Sequence, residues 1–253
     1  MRKIALVTGA TAGIGTATAE ILAKNGYNLI ITGRRKDVLD RLKGQLGIKN
    51  KCDVLTLNFD IRDRKQTEDT FEKLPNSWKN IDVLVNNAGL AAGLAPIQEG
   101  SVDDWEQMID TNIKGLLYVT RHVAPIMVER GGGHIINISS ISAKELYEKG
   151  NVYCATKHAV DALTKGMRID LVKHNVKVTS ISPGFVETEF SLVRFKGDKE
   201  RAGKVYEGLT PLSADDVAEA VWFAISRPAH VNINDMLIMP TAQANITTVV
   251  RKS

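Results

Sequence analysis

The chain is predicted to fold as one doubly wound α/β domain around a seven-stranded parallel sheet. Three observations lead there. Short β-rich runs alternate with helical patterns from one end of the 253 residues to the other, which calls for right-handed crossovers between parallel strands. Several of the runs are almost continuously apolar, as strands covered on both faces are. No linker or internal repeat divides the chain, so residues 1–253 read as a single domain. The predicted strands are Ile4–Thr8, Leu29–Thr32, Val54–Asn58, Ile81–Asn86, His134–Ser139, Val176–Ser182 and Asn234–Met239. Helices are expected at about 14–25, 36–46, 63–74, 103–130, 151–173 and 213–226.

The first run leads straight into Thr8-Gly-Ala-Thr-Ala-Gly-Ile-Gly15, which opens a helix. Glycines at 9, 13 and 15 permit a tight turn, close approach of a pyrophosphate and close helix–strand packing, the signature of a Rossmann dinucleotide fold. The position at the start of the sheet, between strand and helix, argues against a purely structural turn. Gly9, Thr11, Gly13, Ile14 and Gly15 are the cofactor-binding candidates of this segment. At the end of the second strand, where an acid would accept the ribose hydroxyl of NAD, the chain reads Thr32-Gly-Arg-Arg35. Guanidinium groups suit the 2′-phosphate of NADP, although two surface arginines at a helix start would look the same. Asp60, past the third strand, is expected to cap the next segment, to reach the adenine edge, or to do both. Asn86-Asn-Ala-Gly89 ends the fourth strand at the ligand-binding edge. There Asn87 either steadies the sheet or touches the cofactor.

Asn112 falls inside the helix expected at 103–130, a poor place for Asn unless its side chain or a local kink has a task. Ser139 and Ser140 end the fifth strand, where a hydroxyl can polarise a substrate oxygen. Tyr153 and Lys157 are four residues apart on a helix and share a face. A phenol is a poor base near neutrality, and a neighbouring ammonium favours its ionised form. A polar stretch at about 189–210 interrupts the alternation and is expected to be a substrate lid.

Taken in order, Thr-Gly-x-x-x-Gly-x-Gly, Asn-Asn-Ala-Gly, Asn112, Ser140, Tyr-x-x-x-Lys and Pro183-Gly184 resemble the short-chain dehydrogenase/reductase family over the whole chain. The resemblance implies a catalytic set of Asn112, Ser140, Tyr153 and Lys157. It also implies nicotinamide contacts from Pro183, Gly184, Val186 and Thr188, and a homotetramer. Asn86–Ala91, Trp105–Asn112, Gly150–Tyr153, Thr188–Asp198, Pro228–Asn234 and Met239-Pro240 are similar to the NADP-dependent 3-hydroxy acid dehydrogenases. These oxidise serine, allo-threonine and related 3-hydroxy acids, or reduce semialdehydes. With such a substrate, Ser140 and Tyr153 would hold the reacting oxygen and Asn112 a proton-relaying water. Arg194 would take the carboxylate or pair instead with Asp198 or Glu200. Two other readings remain: a 3-oxoacyl or general carbonyl reductase, and a catalytically silent NADP-binding sensor. The intact Asn–Ser–Tyr–Lys set speaks against the sensor.

The remaining expectations are bland. A composition of 43% hydrophobic and 25% charged residues is that of an ordinary globule. The net charge of +4 comes with interspersed acids and no long basic run, so no nucleic-acid partner is expected. Two cysteines make neither a disulfide framework nor a metal quartet, and no apolar run approaches a membrane span. The cytoplasm is the expected location, with a small molecule as partner.

Overall fold

The computed structural model describes residues 2–252 and shows seven parallel strands in the order β3-β2-β1-β4-β5-β6-β7. They are β1 Ile4–Val7, β2 Asn28–Gly33, β3 Val54–Asn58, β4 Ile81–Asn86, β5 Gly133–Ile138, β6 Val176–Pro183 and β7 Asp235–Ile238. Every predicted strand is present within a residue or so of its expected ends. Burial explains the apolar runs, since Ala5, Leu6 and Val7 of β1 and Leu29, Ile30 and Ile31 of β2 have no exposed surface. Alternate residues of these strands face two separate cores. Leu22, Leu39 and Val221 lie on one side of the sheet, and Phe71, Val119, Val123 and Met127 on the other.

The helices on these faces are α1 Gly13–Lys24, α2 Lys36–Asn50, α3 Arg64–Glu72, α4 Val102–Ile109, α5 Leu116–Glu129, α6 Asn151–Leu171, α7 Phe190–Arg194, α8 Lys199–Lys204 and α9 Ala214–Ile225. Four start at side-chain caps. Asp63 accepts from the Gln66 N–H at α3, and Ser213 and Asp216 form a reciprocal capping box at α9. Asp60 is therefore not the cap of α3. Its carboxylate instead accepts from the Arg62 backbone N–H and pairs with the Arg62 guanidinium at 2.6 Å.

The single helix expected at 103–130 is interrupted. Between α4 and α5, residues Asp110–Gly115 form a π-helical segment. One extra residue per turn there swings Asn112 out of the helix surface toward Leu90, where it finds partners that an α-helix would deny it. The polar stretch at about 189–210 carries two short helices, α7 and α8, separated by a turn. The strand order reverses between β1 and β4, and it is outside the carboxyl ends of these strands that an open α/β sheet leaves a crevice.

Candidate active site

A cleft of about 410 Å³ occupies that crevice. It runs from Arg34, Arg35 and Asp60 at one end, past the Gly9–Gly13 turn, to Ser140, Tyr153 and Lys157 at the other. Asn87, Pro183, Gly184, Val186 and Thr188 line it as well. The structure thus brings together nearly all the residues singled out from the sequence; Gly15, Asn112 and Arg194 are not part of its lining.

The glycine turn is built for close approach. Gly9 has φ +65° and Gly13 φ +50°, backbone that side chains rarely adopt. A Cβ on Gly9 would lie 2.9 Å from the Ala88 Cα, and one on Gly15 would collide with the Gly9 carbonyl oxygen. Asn87 holds this turn, donating from Nδ2 to the carbonyls of Thr8 at 2.9 Å and Gly9 at 3.2 Å. It therefore steadies the sheet end while still facing the cleft. Asn86 is buried and donates to Thr120 and Asn137, a structural role.

The residues present fit a dinucleotide. The cradle is one that a Cβ would fill, and it leads into the start of α1, whose N-terminus carries no side-chain cap and would favour an anion. Thr111 and Ser139 line the cleft with buried hydroxyls that find no partner among the described residues. At the adenosine end, Arg34 is largely exposed, 4.0 Å from Asp60, and Arg35 reaches the Thr11 carbonyl at 2.8 Å and Glu189 at 3.2 Å. Asp60 also lines this end, but Arg62 holds its carboxylate and keeps its pKa low against burial.

At the chemical end, the first turns of α6 carry Tyr153 and Lys157, both buried. Lys157 donates to the Ile138 carbonyl at 3.1 Å and lies 6.0 Å from the Tyr153 ring centroid. Burial pulls its ammonium down to about 8. The tyrosine is perturbed the other way. Burial raises its pKa, while the Arg194 charge and the Ser140 hydroxyl oppose the rise. Of the two cations, Arg194 lies nearer the ring, with its guanidinium 4.9 Å from the centroid, than the lysine that the spacing singles out.

Asn112 makes three hydrogen bonds. Its Oδ1 accepts from the Leu90 N–H at 2.9 Å, and its Nδ2 donates to the Leu90 carbonyl at 2.8 Å and to Thr156 at 3.0 Å. The π-helical turn and the loop after β4 are thereby locked to α6.

Arg194 makes no ion pair with Asp198 or Glu200. Its Nη2 donates to the Tyr147 hydroxyl at 2.6 Å, and its carbonyl accepts from the Gly93 N–H at 3.0 Å. Asp198 instead caps α8 and Glu200 pairs with Lys204. Tyr147 and Gln243 escaped the sequence reading. Gln243 is almost wholly buried, takes the Phe185 N–H at 2.9 Å and fills the space beside Gly184. Neither lies in a spacing pattern, and each is brought to the site by a loop. Among the described residues no cluster could hold a metal ion, and no helix is long and apolar enough to cross a membrane.

Residues 3–198 match the family described as short chain dehydrogenase. The chain belongs to that family. It is 53% identical over 242 residues, 95% of this chain and 96% of the relative, to an NADP-dependent 3-hydroxy acid dehydrogenase of Salmonella typhi. A serine 3-dehydrogenase of Rhizobium radiobacter is 44% identical over 239 residues, 94% of each chain. Among solved structures, the closed form of a serine dehydrogenase complexed with NADP+ superposes with a TM-score of 0.93 at 48% identity. That superposition covers 99% of this chain and all of the other.

Membership in the short-chain dehydrogenases sets the buried lysine in context, because a buried ammonium opposes folding. With the Lys157 pKa lowered to about 8 from the usual 10.5, the unfolded chain binds a proton that the folded one releases between those values. Stability from this group therefore rises with pH through that window and is lowest below pH 8. A lysine-to-methionine change removes a penalty on the order of 3 kcal/mol but orphans the Ile138 carbonyl, at a cost of about 1–2 kcal/mol. Lys157→Met is expected to raise the melting temperature of the free protein at pH 7 by about 2–6 °C while weakening NADPH binding. Differential scanning calorimetry checks this, and a lowered melting temperature would contradict it.

Proposed function

We propose that this protein is an NADP-dependent oxidoreductase that oxidises the hydroxyl of small 3-hydroxy acids such as serine, allo-threonine or 3-hydroxypropionate. In the reverse direction it reduces the matching semialdehyde. One observation carries this reading. Tyr153 stands with Ser140 and Lys157 toward the cleft and with the Arg194 guanidinium 4.9 Å from its ring, so a reacting hydroxyl and an acid group have partners a few ångströms apart.

NADP, held by the Gly9–Gly13 turn, Arg34 and Lys157, would supply the two-electron acceptor for a hydride from the substrate carbon. The protein handles the proton. Ser140 and Tyr153 hydrogen-bond the substrate oxygen, and Tyr153 Oη takes the hydroxyl proton in oxidation and returns it in reduction. Lys157 favours the ionised phenol and, tethered at Ile138, keeps its charge beside the cofactor's end of the cleft. Asn112 Oδ1 has one lone pair left beyond Leu90, enough to hold a relay water. The α7–α8 lid, with Phe190 edge-on to Tyr153 at 5.7 Å, excludes solvent.

Arg194 tests the reading. A guanidinium takes a carboxylate in a two-pronged bond, so Arg194→Ala is expected to raise KM for 3-hydroxypropionate at least about tenfold. Oxidation of 1-propanol, an alcohol of the same length without the acid, is expected to suffer far less. Equal losses on both substrates, in steady-state assays with NADP, would exclude Arg194 as the anchor.

A further inference from the structure

Tyr153, which lines the main cleft, also lines a second, smaller cavity of about 30 Å³. Its charged lining is Arg194, Lys149 and Asp104. Asp104 is 9% exposed and would repel an anion entering beside it. It is neutralised, however, by Lys196 from the lid, whose Nζ is 2.9 Å from Oδ1. Reaching it takes an unusual backbone, since Lys196 has φ +54° and Gly197 φ +94° directly after α7. The local balance in this cavity is therefore positive.

Two donors are available there. The Arg194 Nε is buried and has no hydrogen-bond partner among the described residues, a costly state for a charged fork. Tyr147 accepts from Arg194 Nη2, which leaves the proton of its own hydroxyl free to donate to something else. The space is small enough to take the two oxygens of a carboxyl group and too small for a long tail.

We propose that this second cavity is the acid-recognition subsite. In it Tyr147 O–H joins the Arg194 fork on the carboxylate, and Lys196 makes room for the anion by cancelling Asp104. The proposal rests on the 3-hydroxy acid reading above and deepens it, since it limits the substrates to short acids whose carboxylate lies next to the reacting carbon's neighbour.

The test is a charge cycle read as a selectivity ratio, kcat/KM for 3-hydroxypropionate over that for 1-propanol. Lys196→Gln frees the Asp104 charge and is expected to lower the ratio about tenfold, as one unit of uncompensated charge a few ångströms away does in a partly buried site. Adding Asp104→Asn to that variant is expected to restore the ratio to within about threefold of the wild type. Tyr147→Phe, which keeps the ring and loses only the hydroxyl, is expected to lower the ratio about fivefold or more. A readout without turnover runs beside it: the inhibition constant of malonate against the NADP complex should rise in Lys196→Gln and fall back in the double variant. Failure of Asp104→Asn to restore selectivity, or an unchanged ratio in Tyr147→Phe, overturns the subsite. If those variants fail while Arg194→Ala still loses 3-hydroxypropionate selectively, only the subsite falls. If Arg194→Ala loses both substrates alike, the anchor falls and the subsite with it.

Discussion

Tyr153→Phe is expected to lower turnover at least about a hundredfold, the low end of what general acid–base catalysis contributes, while NADPH binding and melting temperature stay near wild type. The ring is held from several sides, by Phe190 at 5.7 Å and by the Arg194 guanidinium at 4.9 Å, and phenylalanine keeps those contacts. Only the Oη proton shuttle is lost. The pH dependence has a defined sign. Burial raises the phenol pKa despite Arg194, so in the free enzyme the phenol is protonated at neutral pH. Oxidation, which starts from the ionised form, should therefore quicken as pH rises, and reduction should slow. Stopped-flow and steady-state rates in both directions check this. Near-normal turnover in a folded Tyr153→Phe protein would exclude the tyrosine as acid/base.

The second large effect concerns the cofactor. NADP is expected to be preferred over NAD at least about tenfold in kcat/KM, about 1.4 kcal/mol or more. Arg34 stands exposed at the cleft end with its Nη1 still 4.0 Å from Asp60, so its fork is available to a 2′-phosphate. Arg35 is committed to the Thr11 carbonyl and to Glu189, and supports the turn more than it waits for a ligand. Arg34→Asp should accordingly reverse most of the preference, and Arg35→Asp less of it while loosening the lid. Equal efficiency with both cofactors in the wild type would contradict the assignment.

Much of this was readable from residue order, and the exceptions have physical reasons. All seven strands could be read because burial on both faces imposes apolar runs on them. The glycine turn could be read because positive φ and missing Cβ atoms leave a trace in composition. The break at Asp110–Gly115 could not be placed, since a π-helical turn has no periodicity of its own. Asn112 hinted at it only as a polar residue in an awkward place. Asp60 lines the cleft but does not cap the next helix, and its engagement with Arg62 two residues away depends on a turn that spacing does not reveal. Arg194 was visible as a cation in the polar stretch, but its partner Tyr147 was not. The two are 47 residues apart and meet only because α7 packs beside the loop before α6. The four-residue spacing points to the lysine, whereas the cation nearer the ring centroid comes from α7.

The most direct measurement is the appearance of NADPH absorbance at 340 nm when the wild-type protein is given NADP and 3-hydroxypropionate. The account predicts steady NADPH formation, with a kcat/KM at least about tenfold above that for 1-propanol, the selectivity one two-pronged carboxylate bond supplies. No NADPH from any small 3-hydroxy acid, alongside brisk NADPH consumption with 3-oxoacyl or simple ketone substrates, would contradict it.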